Sequence, residues 1–168
     1  MAWHLQPETL DFVGTAPVRL SFTARMAASP EEVFRELAQT PQGWPAWVRV
    51  AKAGYYVGHP PYGIGTGRRL RLHGGVCVSE TVLAWESARH FAYRIDEVNV
   101  PGVRAMIEEW RLTPWPRAAG TVVRWTIALD TGRPAATLCT VARAVLGRAF
   151  QGAMRRLDAR IAASSNRC

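Results

Sequence analysis

Lysine is almost missing from this chain: Lys52 stands alone, and arginine makes up the rest of the 21 basic residues. The formal net charge of +8 is therefore carried by guanidinium groups. Such a balance favours anionic partners in general, but arginine-for-lysine and alanine-rich usage is also what a GC-rich genome produces. Cysteine is scarce as well. Cys77, Cys139 and Cys168 are odd in number, widely spaced and without a CxxC, which predicts reduced thiols and a cytoplasmic protein. No apolar run approaches the roughly 20 residues of a membrane span. Met1 to Gly14 carries His4, Glu8 and Asp11 without an apolar centre, so it does not read as a secretory signal. His4, His59, His73 and His90 are scattered, and His73 and Cys77 face each other across a turn with no further ligand nearby, so no metal is expected. Gly63-x-Gly65-x-Gly67 lacks the third glycine of a dinucleotide fingerprint and joins strands rather than opening a helix. Ser79 has no nucleophile elbow around it. No cofactor is expected, and neither internal repeats nor low-complexity tracts occur.

What remains is the material of one globular domain: 168 residues, 48% hydrophobic. The stretch from Pro134 to Ala163 reads as a long helix, with proline at the position where a missing N–H is harmless. Cys139, Ala142, Leu146, Phe150, Ala153, Leu157 and Ile161 recur in steps of three and four along one face, and Leu138, Val145, Ala149 and Met154 widen the stripe. Burying Leu146, Phe150, Leu157 and Ile161 is worth roughly 6–12 kcal/mol, an upper bound because unfolded chains already hide some surface. Gly147 and Gly152 weaken the helix by roughly 1 kcal/mol each, so something must approach closely there. A wide apolar stripe of this kind needs a concave partner.

The preceding chain supplies a sheet. Val18 to Met26 alternates strictly between apolar and polar residues, the pattern of a half-buried strand. Ser29-Pro30-Glu31-Glu32 is a capping box with proline at the first helical position, opening a helix to about Gln39. Pro41 ends it, and Gln42 to Val48 forms a short helix or turn presenting Trp44 and Trp47. Strands are then predicted at Val50–Val57, Arg68–His73, Val76–Trp85, Arg89–Asp96, Met106–Thr113 and Thr121–Asp130, with Gly74-Gly75 as a hairpin turn. The expected fold class is α+β, an antiparallel sheet meandering between its helices. Residues 1–16 form a lead segment folding back over the sheet, 17–163 the domain, and 164–168 a tail.

The motifs in that order carry a resemblance. They are Ala28-Ser29-Pro30-Glu31-Glu32-Val33-Phe34, Trp44-Pro45-Ala46-Trp47, Gly63-Ile64-Gly65-Thr66-Gly67-Arg68, Glu80 to Glu86 followed by Arg89 and Tyr93, Trp110 to Pro114, and Gly120 to Trp125. In order and spacing the chain resembles the START/Bet v 1-like superfamily, and within it the bacterial polyketide cyclase/dehydrase and lipid-transport group, over residues 17–163. The resemblance implies a helix-grip fold, a curved antiparallel sheet wrapped around the C-terminal helix, with a cavity for a hydrophobic or aromatic small molecule between them. It does not settle activity, because fold and function are only loosely tied.

If each strand turns its more apolar side inward, Leu70 and Leu72, Val76, Val78 and Val82, Phe91, Tyr93 and Ile95, Met106, Trp110 and Leu112, and Val123 to Leu129 in alternation face the helix. Glu80 and Glu108 share that parity with the Tyr93 hydroxyl. A carboxylate in an apolar hollow must be paired, hydrogen-bonded or protonated. Glu80, Glu108 and Tyr93 are thus the candidate proton-transfer groups of a cyclase or dehydratase. The alternatives are a polar contact to ligand, or pairing with Arg94, Arg111 or Arg124. Trp47, Tyr93, Trp110, Trp125 and Phe150 are candidate ligand-stacking residues, or simply core. Arg71 and His73 reach the cavity if their strand is reversed, to hold a ligand oxygen; otherwise they form a solvated outer face. Arg143, Arg148, Arg155, Arg156 and Arg160, with Arg68, Arg69 and Arg71, outline an alternative basic surface for RNA, a ribosome or anionic lipid. A hydrophobic ligand is the favoured partner and nucleic acid the less favoured.

Overall fold

The computed structural model describes residues 2–115, 119–131 and 133–165, and the side chains of 133–141 are outside the description. Expectations for Leu138 and Cys139, and for Cys168, therefore lie outside the described residues. Eight strands form one antiparallel sheet: β1 (Trp3–His4), β2 (Val18–Met26), β3 (Ala51–Tyr56), β4 (Gly67–Leu72), β5 (Cys77–Glu86), β6 (His90–Val98), β7 (Val103–Pro114) and β8 (Thr121–Thr131). The path runs β2-β8-β7-β6-β5-β4-β3, with β1 paired to β6. Among the described residues three α-helices accompany it: α1 (Phe12–Thr15), α2 (Pro30–Phe34) and α3 (Arg133–Ser165).

Local chemistry explains the early elements. Ser29 accepts from the Glu32 amide, and the Glu32 carboxylate accepts from the Ser29 amide at 2.9 Å, closing the capping box. After α2 the chain widens into a π-helical turn, Arg35–Gln39, and tightens into a 3-10 turn, Pro41–Ala46. Gly74 and Gly75 both take positive φ, 80° and 79°, in the short turn between β4 and β5.

Phe150, Ala153, Met154, Leu157 and Ile161 are buried as the spacing requires, but Leu146 is only half-buried, and Val145 and Ala149, expected to widen the stripe, are exposed because the sheet covers a narrower face of the helix. Gly147 meets the Phe22 ring, whose edge would lie 3.4 Å from an added Cβ, and the Arg156 guanidinium crosses Gly152. Asp158 ties the helix to the chain leaving β2, accepting from the amides of Ala27 at 3.0 Å and Ala28 at 2.9 Å. The lead segment does return to the sheet, but to its outer side. Phe12 is buried there against Ala105, Ile107 and Ala128.

Candidate functional site

The inward side of the sheet follows the predicted parity and brings three cross-strand pairs together. Tyr93 lies opposite Glu108, Trp110 opposite Trp125, and Arg68 opposite Glu80. The Tyr93 hydroxyl donates to Glu108 Oε2 at 2.6 Å, and Trp125 Nε1 donates to the same oxygen at 3.0 Å. Trp110 Nε1 donates to the Tyr93 hydroxyl at 3.3 Å. Glu80 does not use Arg94, Arg111 or Arg124. Its partner is Arg68, whose Nε donates to Oε2 at 2.5 Å.

Arg68 is the residue that sequence reasoning misplaced, by grouping it with Arg69 and Arg71 on a basic surface. Its side chain is wholly buried, with the guanidinium 4.2 Å from the Tyr93 ring centroid and 4.4 Å from that of Trp44. The signal was present: Arg68 stands two residues before Leu70 and shares its face. Arg71 and His73 go the other way. Both are exposed on the outer side, so the reversed-strand expectation is corrected, because Leu70 and Leu72 hold the inward positions between them. They flank a small outer pocket of about 150 Å³ at the β4–β5 turn.

Electrostatics single out this interior group. Burial pushes the Glu80 carboxyl up to about 7, against the downward pull of Arg68. Burial likewise raises Glu108, although Tyr93 and Trp125 hydrogen bonds oppose it. The Tyr93 hydroxyl is raised well above its ordinary value by burial and then by the Glu108 charge. Burial works against the Arg68 charge, but Glu80 and Tyr93 more than compensate and keep it protonated. Arg68 Nη1 and Nη2, and Trp47 Nε1, are buried donors without an acceptor. Orphaned donors of this kind are uncommon in folded proteins.

Aromatic rings fill the interior on the side of α2. Trp44 contacts Trp47, Tyr93 and Trp110, with centroids 5.1, 6.5 and 6.2 Å away. Trp125 stacks on Trp110 at 5.3 Å and on Phe150 at 5.7 Å. Trp47, Trp110 and Phe150 are buried in this packing, whereas Trp125 keeps solvent contact. So do Leu72, Val76, Val78, Met106 and Glu108, although all belong to the inward side. One part of the concave surface is thus closed by the protein's own rings, and the residues of another part are only half-buried. Of the helix arginines, Arg160 pairs with Glu36 at 3.2 Å and Arg156 donates to the Trp47 carbonyl at 3.0 Å. Among the described residues no cluster of three or more His, Cys, Asp or Glu side chains could hold a metal, and no helix is long and apolar enough to cross a membrane.

A family model described as polyketide cyclase/dehydrase and lipid transport matches residues 17–162. The chain belongs to this family. A relative from Mycobacterium tuberculosis, an uncharacterized protein, is 33% identical over 159 residues, covering 92% of this chain and 93% of its own length. Among solved structures, the Zhui aromatase/cyclase of a Streptomyces species is similar with a TM-score of 0.67 and 19% identity, over 85% of this chain and 92% of that one. A START superfamily protein from Mycobacterium smegmatis is similar with a TM-score of 0.63 and 13% identity, over 83% and 98%. These likenesses establish the helix-grip fold for the polyketide cyclase/dehydrase and lipid-transport member described here.

Proposed function

We propose that this family member binds a small hydrophobic, largely aromatic molecule on the half-buried part of its concave surface, with a ligand oxygen turned towards the buried polar group. The observation that carries the reading is the coincidence of two features. Inward-facing apolar residues (Leu72, Val76, Val78, Met106 and Trp125) stay partly solvent-accessible, and Trp125 among them donates to Glu108, the half-buried member of the polar group. Apolar walls with a few convergent polar groups are the usual composition of a small-molecule site. A ligand hydroxyl is the kind of donor that a Glu108 carboxylate oxygen accepts from. The neutral probe N-phenyl-1-naphthylamine tests the site directly. Its fluorescence is expected to rise saturably with the protein and to be lost in Met106→Arg, while Val145→Arg on the exposed side of α3 leaves it intact. A linear, unsaturable response, or equal loss in both variants, overturns the reading.

A second reading, chemistry of the cyclase or dehydratase type, is favoured by one contact. The Tyr93 hydroxyl and Glu108 carboxyl share a 2.6 Å hydrogen bond, and both are shifted towards their protonated forms. A carboxyl whose proton affinity is raised by burial, hydrogen-bonded to a tyrosine hydroxyl, suits proton transfer to or from a carbonyl compound. On this reading Glu108→Gln abolishes turnover of a poly-β-ketone thioester mimic and keeps probe affinity. Undiminished turnover in Glu108→Gln removes it.

A further inference from the structure

The convex side of the sheet bears a second hollow, unconnected with the interior reading. It is an open groove of about 580 Å³ over β2, β8 and β7, walled on one side by α1. Its chemistry is unbalanced. Register sets Arg111 directly opposite Arg124 on adjacent strands, and both line the groove together with Arg19. Like charges facing each other across a ladder repel. The carboxylate beneath them is already committed. Glu109 Oε1 holds Arg111 at 2.9 Å and His90 at 3.0 Å, and the His90 hydrogen bond first, then Arg111, hold its pKa below the usual carboxylate range against the effect of burial. Asp11 stands on the α1 wall. Among the described residues no carboxylate lies within ion-pair reach of Arg124 or Arg19. Arg124 and Arg19 are exposed without a carboxylate partner, and Arg111, bound to Glu109 through Nε and Nη2, keeps Nη1 for a further acceptor; guanidinium groups on facing residues suit a phosphoryl group. Thr113 and Ser21, whose hydroxyl is hydrogen-bonded with that of Thr126 at 2.8 Å, add hydroxyls to the lining, and Leu10, Val13 and Val122 give the groove an apolar side.

We propose that this groove binds a small organic phosphate, its phosphoryl group bridging Arg111 and Arg124 and its organic portion lying along Leu10, Val13 and Val122. The volume falls within the range of ligand-sized sites. The anion removes the repulsion between the facing arginines, so binding and stability are coupled. Arg19, two positions along β2 from Ser21, extends the positive floor for a second phosphoryl group.

The test titrates the full chain with ADP, and separately with inorganic phosphate, at constant ionic strength by calorimetry. ADP is expected to bind one to one and inorganic phosphate at least tenfold more weakly. Arg124→Gln and Arg111→Gln are each expected to weaken ADP at least tenfold, while Arg143→Gln, an exposed arginine on α3, leaves it unchanged. Without ligand, Arg124→Gln is expected to raise the thermal midpoint, since it relieves the repulsion, and it should leave N-phenyl-1-naphthylamine binding intact. The proposal is overturned by absence of saturable ADP binding, by equal weakening in Arg143→Gln, by inorganic phosphate matching ADP, or by a lower ligand-free midpoint in Arg124→Gln. Loss of naphthylamine binding in Met106→Arg bears only on the interior site.

Discussion

Arg68 and Glu80 face each other in register across β4 and β5, Nε to Oε2 at 2.5 Å, with the guanidinium side chain sealed from solvent and the carboxylate almost so. A pair this deep is held as much by its surroundings as by its own attraction, because removing both charges from water costs several kcal/mol.

The first expectation concerns pH. The Glu80 carboxyl moves from an ordinary value of 4.5 to about 7 on folding, so the folded protein binds the proton more tightly than the unfolded chain. Stability from this group is complete below about 4.5 and is lost as pH rises through about 7, by at most about 3 kcal/mol. Glu108, also raised, acts in the same direction. Urea unfolding followed from pH 5 to pH 8 should show the decline, and Glu80→Gln should flatten it. Arg68→Met removes the pull that restrains Glu80, so its decline should extend to higher pH. A profile in Glu80→Gln as steep as the parent's contradicts the assignment.

Phe150→Ala tests whether α3 closes the interior. Phe150 is buried against Phe22, Trp110 and Trp125, at 6.1, 6.2 and 5.7 Å between ring centroids. Truncation is expected to cost about 3–5 kcal/mol through the space it leaves. A change under about 1 kcal/mol in urea unfolding, well below the usual range for such truncations, would mean that the helix is not part of the core.

Gly54→Ala probes a close approach of backbone to backbone. An added Cβ would stand 2.7 Å from the Pro41 carbonyl oxygen and 2.7 Å from Leu70 Cδ2. The leucine can turn aside, but the carbonyl belongs to the turn that carries Trp44. A loss of about 1–3 kcal/mol is expected by thermal or urea unfolding. In Gly147→Ala the neighbour is a ring edge at 3.4 Å, and the gain in helix propensity offsets the crowding. The two variants should therefore separate clearly.

Asp158→Ala should loosen the joint between α3 and the end of β2. Two backbone donors, Ala27 and Ala28, depend on its carboxylate. Charge-assisted bonds of this type are each worth about 1.5–3 kcal/mol, and the Ala27 amide can turn to water instead, so a net loss of about 2 kcal/mol is expected. Hydrogen exchange should speed up at these two amides before it does in the middle of β2.

Much of this architecture was legible in the residues themselves. Alternation along Val18–Met26 placed a strand with those bounds, and the steps of three and four from Phe150 to Ile161 placed the face that α3 buries. Period two also put Glu80, Glu108 and Tyr93 on one side of the sheet, where all three are found. The same repeat turns Arg94, which alternates with the inward Tyr93 and Ile95, away from Glu80. What parity could not do was choose among inward partners: the β4–β5 register sets Arg68 opposite Glu80. Arg94 is taken by Asp96 at 2.6 Å.

By itself the sequence determined which way each side chain faces, since that depends only on a local repeat of two or of 3.6 residues. The tertiary structure alone decided which of those side chains meet. Arg68 finding Glu80, Phe22 crossing Gly147 and Arg111 confronting Arg124 depend on turns, bulges and strand order, which bring distant positions to within a few ångströms. Whether a hollow between sheet and helix is filled or left open is likewise a sum over many packed volumes, and no short pattern in the chain encodes it.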